Sequence, residues 1–85
     1  MNEIIIIIID DHYFNVTDYA LYHPGGKRIL KKYHLKDATE EFNSIKGHGD
    51  AYAIEELNKY CIGNINEINI NQYISKYTKI KYINN

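Results

Sequence analysis

His23-Pro24-Gly25-Gly26 is a stop-and-turn signal, and it is answered further along the chain by Gly47-His48-Gly49. Proline disfavours helical geometry in the residue before it, so His23 sits where a helix ends. Two glycines then permit a tight turn and a close approach of backbone to something bulky. His48 is likewise framed by glycines. Two imidazoles on turns between short helices can face one another across a flat ligand, an arrangement that suits axial ligation of a haem iron. For each histidine alone, the alternative is a turn residue that merely caps or packs.

The flanking segments extend this reading. Tyr13-Phe14-Asn15-Val16-Thr17-Asp18-Tyr19 leads into the first turn, Asp37-Ala38-Thr39-Glu40-Glu41-Phe42 follows it, and Leu57, Tyr60, Ile62 and Gly63 follow Gly47-His48. In these residues and in their order the chain resembles the cytochrome b5-like haem-binding domain over roughly residues 4 to 65. The resemblance implies an α+β fold, with a small β-sheet and two short helix pairs forming a haem crevice. It also implies haem b (iron protoporphyrin IX) as cofactor, with His23 and His48 as metal ligands.

Composition is compatible with that reading. The chain has 85 residues, enough for one small domain, and a formal net charge of −1, which argues against general nucleic-acid binding. A core this small gains from a bound cofactor. The single cysteine, Cys61, excludes an internal disulfide and fits a reducing, cytoplasmic compartment. No Cys-x-x-Cys-His is present, so the haem is expected to be held without covalent attachment. Met1 is the only methionine, which disfavours a histidine–methionine ligand pair.

Local patterns place the elements. The run Ile4 to Ile9, bounded by Glu3 and Asp10, is far shorter than the roughly 20 apolar residues that cross a bilayer and reads as a buried strand entering a turn. No membrane anchor or signal peptide is read anywhere, and a soluble monomer is expected. A first helix is expected over about Val16 to Tyr22, capped by Asn15, and a second over about Lys27 to Tyr33. A third starts at Asp37-x-x-Glu40, with Ala38, Phe42 and Ile45 on one face. A fourth is capped by Asp50 and turns Ala53, Ile54, Leu57 and Tyr60 inward. Gly63 closes it ahead of a short strand.

The candidate crevice lining is Ile9, Val16, Tyr19, Ile29, Leu30, Phe42, Ile45, Ala53, Leu57 and Tyr60, with Lys46 as a partner for a haem propionate. Read blandly, these residues form an ordinary core. His12 and His34 are expected at the surface, and Cys61 as a small packed apolar residue. A zinc site from His23, His34, His48 and Cys61 has no recognisable spacing.

Certain positions depart from the family pattern. Lys27 and Arg28 stand where acidic residues are common, and segment 23–48 carries an excess of lysine and arginine over acidic residues. The turn before His48 holds an extra residue, near Lys46, and another lies between His48 and Ala53. A glycine follows His48 where many members have a serine. The chain also opens later than family members, which usually begin with a further strand and helix. Ile70, Tyr73, Ile74, Tyr77 and Ile80 recur at helical spacing. Hence residues 1–65 are expected to form the haem-binding domain and residues 66–85 an amphipathic helix or tail packing on it.

The function implied by the resemblance is that of a soluble b-type cytochrome, not an enzyme. The resemblance implies a flavin reductase as donor and an oxidase, desaturase or hydroxylase as acceptor, while the lysine and arginine excess, a departure from the family, points to a partner with an acidic face. The alternative is a non-redox haem-binding or sensor module of the same fold.

Overall fold

The computed structural model describes residues 3–21, 26–44 and 51–80. The isoleucine run becomes strand β1 (Ile6–Ile9), paired antiparallel with β2 (His12–Asn15). The turn between them is Asp10-Asp11, with φ of 48° and 61°. Two consecutive left-handed residues are what a tight two-residue hairpin requires, and aspartate tolerates that geometry better than most side chains. Strand β3 (Cys61–Asn64) pairs antiparallel with β2, with an irregularity between Tyr13 and Phe14, so β2 is central.

The outer edge of β1 is sealed by its own chain. Ile8 N–H donates to the Lys36 carbonyl at 3.1 Å, Ala38 N–H to the Ile8 carbonyl at 2.7 Å, and Leu35 N–H to the Ile6 carbonyl at 2.6 Å. This segment reaches β1 by way of Leu35, whose φ is 60°. An open edge invites pairing with another chain, and here those backbone groups are satisfied internally.

Period-2 geometry sorts the isoleucines. Ile5, Ile7 and Ile9 join Phe14, Val16, Ala20 and Ala38 in one buried cluster. Ile6 is also fully buried but points to the other face, opposite Asn15. On that face, Asn15 Nδ2 donates to the Tyr73 hydroxyl at 2.9 Å.

The helices follow in order. They are α1 (Thr17–Leu21), α2 (Gly26–Lys32), α3 (Thr39–Ser44), α4 (Ala51–Asn58) and α5 (Ile70–Thr78). Asn15 Oδ1 accepts from Thr17 N–H at 3.2 Å and opens α1. Asp37 Oδ1 accepts from Thr39 N–H at 2.8 Å and opens α3; the Thr39 hydroxyl and then this backbone bond hold its carboxyl below the usual range. Asn69 caps α5 by accepting from Gln72 N–H at 3.0 Å. Five short helices and a three-stranded sheet among the described residues make an α+β fold.

Several expectations are corrected. Gly63 lies inside β3, not ahead of it, with φ of 148°. Tyr60 falls beyond the end of α4, in a turn closed by its N–H on the Leu57 carbonyl at 2.9 Å. Cys61 is exposed rather than packed. Ile80, the last member of the amphipathic pattern, is 73% exposed.

His34 is half-buried, because its ring turns back onto β1 and accepts a hydrogen bond from Ile6 N–H at Nδ1, 3.1 Å. His12 is half-buried at the start of β2, its Nδ1 2.7 Å from the Asp10 carbonyl.

Candidate functional site

Each of the first four helices brings apolar side chains to the same core, and these remain partly open. Tyr19 of α1, Leu30 of α2, Phe42 of α3 and Leu57 of α4 pack against the buried cluster, as do Tyr33 and Tyr60 from the turns after α2 and α4. All six are half-buried. Tyr19 and Tyr60 meet with ring centroids 5.4 Å apart and planes tilted at 56°, a favourable aromatic geometry. Burial raises the Tyr33 hydroxyl above its ordinary pKa, and Glu41 adds to the effect.

The expected lining therefore divides. Tyr19, Leu30, Phe42, Leu57 and Tyr60 form the partly open apolar wall. Ile9 and Val16 lie deeper, 3% and 0% exposed, behind that wall within the sheet core. Ile29 is 51% exposed on the outside of α2. His23, Ile45, Lys46 and His48 lie outside the described residues, as does the side chain of Ala53. Tyr33 was not among the expected lining residues, although it shares a helical face with Ile29 and Leu30.

An apolar wall supplied by four separate helices and left half-open suits a large flat apolar ligand. Both described histidines have their Nδ1 atoms engaged within the fold, and no cluster of three or more metal-ligating side chains occurs among the described residues. No helix among the described residues is long and apolar enough to cross a membrane.

Comparison with known proteins agrees with this geometry. Residues 2–66 match the model of the cytochrome b5-like haem/steroid binding domain, and the chain belongs to that family. The chain is 39% identical over 61 residues to a cytochrome b5 of Rhizopus stolonifer, covering 72% of this chain and 45% of that protein. It is 36% identical over 75 residues to cytochrome b5 isoform B of Arabidopsis thaliana, covering 88% and 54%. An NADH-cytochrome b5 reductase-like protein of Emericella nidulans is 36% identical over 59 residues, 69% of this chain and 13% of that one. The chain thus spans about half the length of the curated cytochromes b5 it matches. Membership in the family implies haem b as the cofactor.

Proposed function

We propose that this domain carries single electrons on a non-covalently held haem b, with His23 and His48 as its two axial ligands. The half-open apolar wall shared by α1 to α4 is the observation that carries this reading. It is the kind of surface that a haem face would complete. The segment matched to the family contains both histidines, and the two other histidines are already tied to backbone groups of β1 and its turn.

When bound, haem b supplies a single-electron ferric–ferrous couple. The chain's part is to hold it and to exclude water. His23 and His48 would together hold the iron, which would leave no open position for oxygen or substrate, so the chemistry supplied would be electron exchange. Tyr19, Leu30, Phe42, Leu57 and Tyr60 would cover the faces of the ring, with Ile9 and Val16 backing them and Ile45 and Ala53 completing the lining. Ile29 would sit toward the rim, and Lys46 would pair with a propionate. Electrons would come from a flavin reductase and pass to an oxidase, desaturase or hydroxylase. The reductase-like relative in Emericella nidulans supports a donor of that class.

The test is reconstitution of the full chain with haemin. The expected ferric spectrum is six-coordinate and low-spin, shifts on dithionite and is indifferent to carbon monoxide. His23→Ala and His48→Ala should each lose haem or admit carbon monoxide. Unchanged bands in either variant would refute the assignment.

A further inference from the structure

The described surface around α2 and α3 is electrically divided. Lys27, Arg28, Lys31 and Lys32 all lie exposed on α2. Among the described residues only Lys31 of these is in an ion pair, with Glu3 Oε2 at 3.1 Å, and that contact holds the Glu3 carboxyl below its ordinary pKa. A cleft of about 800 Å³ opens beside the helix, lined among the described residues by these same four cations. The first turn of α3 carries the opposite sign, with Glu40 and Glu41 facing a smaller hollow of about 430 Å³ that they share with Tyr33, Asp37 and Thr39. The chain as a whole has a net charge of only −1, so this is local segregation rather than a general excess.

We propose that the α2 face is the docking surface for an acidic-faced redox protein, which approaches the domain over Lys27, Arg28 and Lys32. The proposal rests on the electron-carrier reading for the redox character of the partner. Its charge argument is independent of that reading. Concentrated like charge beside a cleft raises the local concentration of an oppositely charged partner and orients its approach. Leu30, on the same helix, packs inward against the core, so a partner seated on α2 stands one helix thickness from the proposed haem wall.

The test uses the full chain, isotope-labelled and haem-loaded, titrated with oxidised flavodoxin as the acidic-surfaced probe. Chemical-shift changes should concentrate at residues 26–32 and disappear when salt is raised to about 300 mM, where screening lengths fall well below 10 Å. Arg28→Glu/Lys32→Glu should weaken binding at least about tenfold, a loss typical of removing electrostatic steering. Lys76→Glu/Lys79→Glu makes the same change in net charge at the C-terminal end of α5 and should leave binding unaltered.

Equal losses in both double variants, shifts centred away from α2, or binding indifferent to salt would overturn the proposal. So would α2-dependent binding to phosphatidylserine vesicles without binding to flavodoxin, which would make this a membrane-facing surface. Circular dichroism of each variant separates docking from misfolding, and Arg28→Gln/Lys32→Gln provides a milder second pair. Reduction by dithionite is read in parallel. Its failure would count against the electron-carrier reading and leave the docking result to stand on the shifts.

Discussion

Thr17 is the only buried polar residue among the described ones, and replacing it with valine tests how β1 is joined to α1. Its Oγ1 accepts from Ile5 N–H at 2.9 Å and donates to Asn15 Oδ1 at 2.7 Å. A hydroxyl has one proton and two lone pairs, so both roles are filled at once. Thr17→Val keeps the shape and removes both bonds. Ile5 is 1% exposed, so its N–H would be left buried without a partner, at a cost of about 1–3 kcal/mol.

Asn15 Oδ1 still holds Thr17 N–H, so its loss is smaller, and the added methyl returns up to about 0.8 kcal/mol. The net is about 2 kcal/mol. For a domain of this length that lowers Tm by about 8–16 °C. Thr17→Ser keeps the hydroxyl and loses only a methyl, for about 1 kcal/mol. Thermal melts followed by far-ultraviolet circular dichroism, with and without haem, measure both. A valine variant that melts within about 2 °C of the parent, or above the serine variant, would refute the reasoning.

Burial lowers the His34 pKa below 6.5, so the native state prefers the neutral ring that accepts from Ile6 N–H. The unfolded chain then takes up the proton first as pH falls. Stability should decline from about pH 6.5 toward the lowered native value, and urea titrations should show a flatter slope for His34→Gln. At Gly63 a Cβ would stand 3.0 Å from Ile68 Cδ1 and Cγ1, at a φ of 148°. Gly63→Ala should cost about 1–3 kcal/mol, and adding Ile68→Ala should not restore the parent melting temperature, since the backbone strain persists. Tyr73→Phe removes the Asn15–Tyr73 bond and should cost about 0.5–1.5 kcal/mol. Deleting residues 66–85 should cost more than Tyr73→Phe, and an unchanged melting temperature would refute the packing of α5 on the sheet.

What could be read from the chain depended on whether the signal was local. The isoleucine run, the Asp-Asp turn and the helical spacings of α1 to α5 all lie within a few residues of the elements they produce. Their ends were less legible. The first strand is shorter than Ile4 to Ile9, and the fourth helix stops before Tyr60. His34 looked like surface because it follows Lys31 and Lys32. Its placement is set by the left-handed turn at Leu35, which folds the chain back onto β1 far away in sequence. Cys61 and Gly63 were misjudged for a related reason. Their surroundings follow from pairing with β2 across an irregular register, and no short window of sequence carries that information. The expected turns at His23 and His48 lie outside the described residues. The wall was legible only in part, since helical periodicity gives the inward face of each helix and leaves its depth open. Val16 and Ile9 are deep, and Ile29 is out in solvent.

The division of burial across the molecule ties stability to function. Every fully buried apolar side chain among the described residues belongs to the sheet, to the chain beside it, to α1 or to Ala38. No described side chain of α2 is fully buried, and its inward residue Leu30 stays half-open, as do Phe42 and Leu57. Small domains have little apolar surface to spare, so partly covered Leu and Phe side chains represent stabilisation not yet realised. A ligand that covers them adds its binding free energy to the folding free energy of the half that holds it. The sheet depends less on such help, because its edge is sealed by residues 34–38 and the buried Thr17 hydroxyl at the start of α1 bonds both Ile5 and Asn15. The scaffold and the crevice are therefore separable in energetic terms. The sheet side carries the fully buried core among the described residues, and the helices leave apolar faces part-covered where the proposed haem would bind.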